Sequence, residues 1–521
     1  MPSTLKSLVQ SRNPLISVET RDEEHALELV REIAAELSRP LYEWSMTSGM
    51  RFLDKKGPWQ PVAMKQGKTL TIYMPIAGQD DKPDAAKTLL VKKAVDALTV
   101  VVEFASNAMY VFKDLGPHAK DAHVQRLLRD AASTSETRRS TVILVDAGSL
   151  PDEVRRVAIP FEIGWPSLEE LEQVVKQTFS RIRKDNLQEV TATLTRKEMD
   201  HLIQTLRGLT RTEAERVVAS VIYQDFSLSG ADLPAVLDAK RSLLGAAGSL
   251  ESIAVDFTIE DVGGFENLKA WLRQRRGGFS KKAREYGLVP PRGVLMLGVP
   301  GCGKSLCAKA VAADWGMPLL RLDPGVLYNK FIGETERLLR DALAQAEAMA
   351  PVILWIDEIE KAFASASGGS ADGGLSKRVF GSLLSWMQDH RHPIFLVATA
   401  NDISALPPEL MRKGRFDEVF FVDLPSSESR MNILSIHLLR RERDPAKFDL
   451  VQLAEASEGF NGAELEQAIL GAMYGAFQEG VELQDRHIVE EMSKTRPLSV
   501  LMSERITELR DWARDRCVSA D

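Results

Sequence analysis

Cysteine is scarce in this chain: Cys302, Cys307 and Cys517 form an odd, unevenly spaced set of three in 521 residues. That excludes a disulfide framework and a cysteine metal site. Nowhere do about 18 consecutive apolar residues run without charge, which argues against a membrane-spanning helix. The opening Met-Pro-Ser-Thr-Leu-Lys has no apolar signal core. Basic runs are also missing. The 66 Lys and Arg are spread against 74 Asp and Glu, for a net charge of −8. Tracking a nucleic-acid backbone is therefore disfavoured as the main role, although a basic channel built by assembly stays open. These absences fit a protein of a reducing, cytoplasmic compartment.

What is present is apolar substance and one sharp motif. A hydrophobic share of 44% over 521 residues is ample for sizeable cores, in roughly two to four domains. Gly298-Val299-Pro300-Gly301-Cys302-Gly303-Lys304-Ser305, continuing into Leu306, spells G-x-x-x-x-G-K-[ST]. The apolar run Gly293–Leu297 before it reads as a buried parallel strand, and Leu306–Trp315 after it has helical spacing. A strand, a glycine-rich turn and a helix N-terminus make an anion cradle of backbone amides and helix dipole. Lys304 is expected to reach the β- and γ-phosphates of ATP, and the Ser305 hydroxyl to ligate Mg²⁺.

Three further segments complete such a site. Val352–Ile356 is a buried-strand run ending in Asp357-Glu358. Carboxylates at that end of a parallel sheet lie where open α/β sheets bind ligands. Asp357 would hold Mg²⁺ through its water shell, and Glu358 would polarise the attacking water. Ile394–Thr399 is a third run, and Asn401 just beyond it is placed to orient that water. Arg412 and Arg415, ahead of the strand Val419–Val422, have no evident role in their own pocket. Supplied to a neighbouring copy, such guanidinium groups would neutralise charge developing on the γ-phosphate. A homo-oligomer follows.

In order and spacing these segments resemble Walker A, Walker B, sensor 1 and the paired arginine fingers of AAA+ ATPases, over roughly residues 255–495. Asp261-Val-Gly-Gly264 with Leu268-Lys269 is similar to the lead-in of the AAA clade, which flanks the adenine. Gly459-Phe-Asn-Gly462-Ala463-Glu-Leu465 resembles the small helical lid, with Gly-Ala where other clades carry a sensor 2 arginine. The resemblance implies a P-loop α/β module with a helical lid, cofactors ATP and Mg²⁺, and a hexameric ring. It further implies that Lys330, Phe331 and Ile332 form a pore loop able to grip a protein substrate, and that Ser365–Gly374 forms a second one. Trp271, Phe279, Leu354–Phe363, Phe395–Asn401 and Leu509–Ala513 are similar to uncharacterised AAA proteins of plastid and cyanobacterial genomes. In a plastid-encoded copy the compartment would be the stroma.

The first half has α/β rhythm without a phosphate cradle. Pro14–Thr20, Tyr110–Asp114, Thr141–Asp146 and Ile159–Trp165 read as strands, and Asp22–Leu37 reads as an amphipathic helix. Helical pattern continues over Leu168–Lys184 and Thr195–Leu244, where Thr210-Arg-Thr-Glu213 has capping-box spacing. Gly67-Lys68-Thr69 imitates a P-loop end but has Val62 where the first glycine belongs. The expected organisation is a degenerate AAA+-like α/β domain over 1–185, a lid-like helical segment and linker over 186–250, with Gly245–Ser249 as the linker, a large ATPase subdomain over 251–424, and a lid with C-terminal helices over 425–521. An unrelated α/β adaptor is the alternative for the front domain. In function, the leading expectation is ATP-driven remodelling or unfolding of a protein partner. The rival is a nucleotide-gated binding scaffold that threads nothing, and a nucleic-acid-dependent ATPase is the third.

Overall fold

A computed structural model describes residues 4–53, 60–65, 71–73, 88–104, 107–148, 150–186, 189–247, 250–255, 258–324, 334–361, 373–403, 406–412 and 414–521. The chain divides into two compact units. One holds residues 1–204 and 209–230, the other residues 205–208 and 231–521. The Gly67–Thr69 sequence lies outside the described residues.

The first unit is built on a seven-stranded sheet in the order β7-β1-β6-β5-β2-β3-β4. Its strands are β1 (Leu15–Glu19), β2 (Leu41–Ser45), β3 (Gly49–Leu53), β4 (Gln60–Pro61), β5 (Met109–Lys113), β6 (Thr141–Asp146) and β7 (Ile159–Pro160). From β7 to β2 all pairings are parallel; β3 and β4 extend the edge antiparallel. Strands covered on both faces read as unbroken apolar runs, and all six residues of β6 are buried. The helix Glu23–Glu36 covers one face through Ala26, Leu27, Val30, Ile33 and Ala34, a helical stripe. The other face packs Trp44 against Phe112 and stacks Tyr42 on Tyr110, with ring centroids 5.5 and 5.0 Å apart. The stretch expected as a strand over Ile159–Trp165 pairs only at Ile159–Pro160.

Helices Leu168–Asp185 and Arg211–Asp225 both start with complete capping boxes, at Ser167/Glu170 and Thr210/Glu213. The second of these starts is seated on Asp22, in the turn that follows β1. The buried Asp22 carboxylate accepts from the Arg211 amide at 3.1 Å and from the Thr212 hydroxyl at 2.5 Å. An acid at a helix N-terminus is favourable both as a hydrogen-bond acceptor and for the helix dipole.

In the second unit the sheet is again seven-stranded, in the order β8-β10-β11-β12-β9-β13-β14. Its members are β8 (Leu250–Ile253), β9 (Gly293–Gly298), β10 (Leu319–Leu322), β11 (Val352–Ile356), β12 (Ile394–Ala400), β13 (Glu418–Val422) and β14 (Val518–Ser519). Edge strand β8 pairs antiparallel with β10, and every other pairing is parallel. Counted along the chain, β1, β2, β5, β6 and β7 of the first unit and β9 to β13 of the second share one spatial order: fifth, first, fourth, third, second. Trp315 and Phe395 meet at 4.5 Å in the core beneath, beside Trp271 and Phe420 at 5.9 Å. A helical subdomain of Ser427–Leu439, Leu450–Ala456, Gly462–Glu479 and Asp485–Lys494 closes on its own core of Leu434, Leu438, Leu453, Leu465, Ile469 and Ile488.

Within the second unit, Thr205–Gly208 is held by buried polar contacts. Lys240 donates to the Thr205 and Arg207 carbonyls at 2.7 and 2.6 Å, and Gln345 donates to the Gly208 carbonyl at 2.9 Å. Burial pushes the Lys240 ammonium down to about 7. Gly245–Ala247, expected to lie in a linker, is instead the end of the helix Leu233–Ala247. Alanine-rich flanks sustain a helix through one glycine.

The sheet end that follows β1 in the first unit is acidic. Asp146 is buried, and burial, then the charges of Asp114 and Glu19, push its carboxyl up to about 6 against the opposing Gly116 amide. A carboxyl raised in the folded state gives stability that is present below its unfolded pKa and lost as pH rises through the folded one. The ionised Asp146 thus costs the fold about 3 kcal/mol above pH 6. Asp146→Asn keeps an acceptor for Gly116. In urea titrations of the full chain it should match wild type near pH 4 and exceed it at pH 7; a difference independent of pH would contradict this account.

Candidate nucleotide site

The glycine-rich turn connects β9, whose six residues are all buried, to the helix Lys304–Trp315. Two of its glycines are there for definite reasons. Gly298 lies so close to β13 that a Cβ would fall 1.9 Å from the Val422 carbonyl oxygen, and Gly303 caps the helix at φ +86°. The Val299 amide donates to the Val422 carbonyl at 3.0 Å, so it is spent on the sheet rather than left for a phosphate. Lys304 is buried and folded back over the turn, donating to the Gly298 and Val299 carbonyls at 2.9 and 2.8 Å. Burial pushes its ammonium down to about 8, against the pull of Glu360, Asp357 and Glu358.

Asp357 follows β11. Its Oδ1 accepts from the Ser305 hydroxyl at 3.1 Å and from the Thr399 hydroxyl at 2.7 Å. Its Oδ2 faces the Arg321 guanidinium at 3.4 Å. Glu358 adopts φ +50°, a left-handed conformation costly for a residue with a Cβ, and its amide donates to Thr399 Oγ1 at 3.0 Å. The Glu358 carboxylate accepts from Asn401 Nδ2 at 3.1 Å and pairs with Lys361. The Asn401 amide donates to Glu360 Oε1 at 2.9 Å; burial raises the Glu360 carboxyl, whose other oxygen is buried without a partner among the described residues. Ser305, Asp357, Glu358 and Asn401 thus meet at one sheet end, where the strand order reverses between β9 and β12.

The start of the lid helix Gly462–Glu479 lies on the same turn. Asn461 caps it together with Glu464 and donates to the Pro300 carbonyl at 3.3 Å, and the Ala463 amide donates to the Gly301 carbonyl at 3.1 Å. The Phe265 ring lies against Gly303, and its amide donates to the Asp521 carboxylate, which also accepts from Ser429 at 3.1 Å. Leu306 packs, partly buried, against the core below the turn. Cys302 and Cys307 are buried, and burial pushes both thiols up to about 12, where a nucleophilic thiolate is suppressed.

Arg412 is exposed, and Arg415 is half-buried with its guanidinium donating to the Glu409 carbonyl. Among the described residues no hydrogen bond or ion pair joins either arginine to the turn, Asp357 or Glu358. Lys330, Phe331 and Ile332 lie outside the described residues, as does most of Ser365–Gly374. Thr399 and Arg321 were not anticipated from the sequence. Thr399 stood in the quoted strand run, two residues before Asn401, and only its pairing partner shows what its hydroxyl does.

The oxygen donors suit a small hard cation. Ser305 and Asp357 already share one oxygen-to-oxygen contact, and Mg²⁺ takes one or two protein ligands and completes its shell with phosphate and water. Among the described residues no group of three or more His, Cys, Asp or Glu side chains forms an all-protein metal site, and no helix is long and apolar enough to cross a membrane.

Comparison with known proteins matches residues 294–424 to the ATPase family associated with various cellular activities (AAA). Residues 1–163 match the N-terminal domain, and 169–246 the second domain, of SpoVK-like AAA ATPases. The chain is 32% identical over 514 residues to the uncharacterized AAA domain-containing protein ycf46 of Pyropia yezoensis, covering 98% of this chain and 97% of that protein. To the ycf46 protein of Guillardia theta it is 33% identical over 522 residues, covering 98% and 94%. A shorter match, 39% over 202 residues, links 38% of the chain to 49% of the proteasome-activating nucleotidase of Aeropyrum pernix. With the turn, the two acids and the lid in this arrangement, the chain belongs to the AAA ATPase family, alongside the ycf46 proteins and with SpoVK-like domains ahead of its ATPase module.

Proposed function

We propose that this protein binds ATP with Mg²⁺, hydrolyses it as a homo-hexameric ring, and spends the cycle on remodelling or unfolding a protein partner. The observation that carries the reading is the joint placement of Ser305 on Asp357 and Asn401 on Glu358 beneath a lid seated on the phosphate turn. Lys304 leaves the carbonyls of Gly298 and Val299 for the phosphates, a move favoured by its burial, which penalises a charge without a counter-ion. Glu358 takes a proton from the attacking water while Asn401 fixes that water's position. The bound Mg²⁺, held through Ser305 and Asp357, supplies charge neutralisation at the phosphates. Arg412 and Arg415 act on the neighbouring copy's nucleotide.

The front unit is read as a AAA+-like fold that has lost nucleotide. The shared strand order supports this, as do Glu19, Asp22, Asp114 and Asp146 at the sheet end where phosphates need amides. The resemblance of the 330–332 segment to a pore loop supports threading, with Phe331 as the gripping residue. A second reading, a nucleotide-gated binding scaffold, is favoured by the direct contact of Ala463 with Gly301, which carries nucleotide state into the lid without any pore loop.

Glu358→Gln should retain ATP binding and lose turnover by about 10²- to 10⁴-fold, the usual worth of a general base; undiminished hydrolysis would remove Glu358 from the mechanism. Arg415→Ala should bind nucleotide normally and hydrolyse it about 10³-fold more slowly, and wild-type turnover would contradict the ring. Phe331→Ala separates the two readings. It should abolish ATP-dependent unfolding of a bound partner while sparing ATPase activity under threading, and leave ATP-gated partner binding intact under gating.

A further inference from the structure

Three groups contact the Asp357 carboxylate. Two hydroxyls, Ser305 and Thr399, occupy Oδ1. The remaining oxygen, Oδ2, faces a fixed positive charge, Arg321, at 3.4 Å. Arg321 lies on β10, whose register sets it opposite Trp355 of β11, two residues before Asp357. Its guanidinium carbon lies over the Trp355 ring, 5.0 Å from the centroid, within cation–π distance. Its Nε is buried with no partner among the described residues. A competing acid, Glu251 on the neighbouring edge strand, is exposed and reaches only 3.8 Å. Of the two acids, Asp357 is the nearer and the less exposed partner of Arg321.

An arginine does not lose its proton in a protein. Held against the carboxylate, it neutralises the charge that a divalent cation needs there. Resting on the nucleotide-site reading given above, we propose that Arg321 is a positioning residue that keeps Asp357 oriented while the site is empty and sets the Mg²⁺ affinity of the nucleotide-bound form. Mg²⁺ must share or displace this guanidinium. The site consequently fills its metal at higher free Mg²⁺ than an otherwise identical site would.

The test is the Mg²⁺ dependence of fluorescent ADP binding to the full chain, an equilibrium measurement that needs no turnover. Arg321→Met keeps the stem that lies on Trp355 and removes the charge. It should lower the Mg²⁺ midpoint roughly tenfold, as expected from removing a unit charge a few ångströms from a divalent ion in a partly exposed site. Arg321→Lys retains the charge and should stay near wild type, and in an Asp357→Asn background Arg321→Met should shift the midpoint less, because only the direct repulsion of the ion remains. If Asp357→Asn weakens Mg²⁺ but Arg321→Met leaves the midpoint unchanged, or if Lys behaves as Met does, the role of Arg321 is overturned with the site intact. If Asp357→Asn itself leaves the midpoint unchanged, the assignment of Asp357 fails, and the inference fails with it.

Discussion

Oδ1 of Asp357 is the point on which the nucleotide end of the second unit turns. It joins the P-loop helix through Ser305, strand β11 through its own backbone, and strand β12 through Thr399. The same Thr399 hydroxyl receives the Glu358 amide and so stabilises the left-handed backbone that aims Glu358 at Asn401. One acceptor thereby sets the relative placement of four groups drawn from three elements. These bonds are part-buried, and only Thr399 among their partners is fully enclosed. Lid contacts at Pro300 and Gly301 connect this cluster to the helical subdomain.

The two units express one topology with opposite electrostatics. In each, the turn after the first core strand lies beside the start of a helix from the following helical segment. In the second unit the contact is made by the Ala463 backbone and by Asn461. In the first, the contact is made by the Asp22 carboxylate, which accepts from the Arg211 amide and the Thr212 hydroxyl. Asp114, at φ +51°, has the same left-handed backbone after its strand that Glu358 has at φ +50°.

Cations placed against both acids at the nucleotide site give the pair a shared character. Asp357 faces Arg321, Glu358 faces Lys361, and Lys304 rests on its own turn's carbonyls. Each group is held away from the work proposed for it by a contact that a bound, magnesium-loaded nucleotide would exchange for a better one. The Arg321 and Lys361 contacts are partly exposed ion pairs, whereas those of Lys304 are buried bonds to carbonyls.

Much of this site was legible along the chain, because its strongest parts are local. The P-loop needs glycines at fixed offsets for backbone reasons alone, buried parallel strands must be apolar throughout, and the Thr210 capping box closes within four residues. Asp357, Glu358 and Asn401 could be placed because each immediately follows such a strand. Thr399 and Arg321 could not, because what they do depends on which strands lie side by side: β12 and β10 flank β11 only once the sheet has chosen its order. The antiparallel edge β8, the return of Val518–Ser519 beside β13 and the burial of Lys240 on Thr205 and Arg207 were hidden for the same reason. Sequence by itself determined the nucleotide-binding turn, the strands and the acids at their tips, since those follow from backbone sterics and burial over a few residues. Only the tertiary structure decided which side chains hold those acids, because a hydrogen bond between distant segments exists only after long-range packing has brought its two ends together.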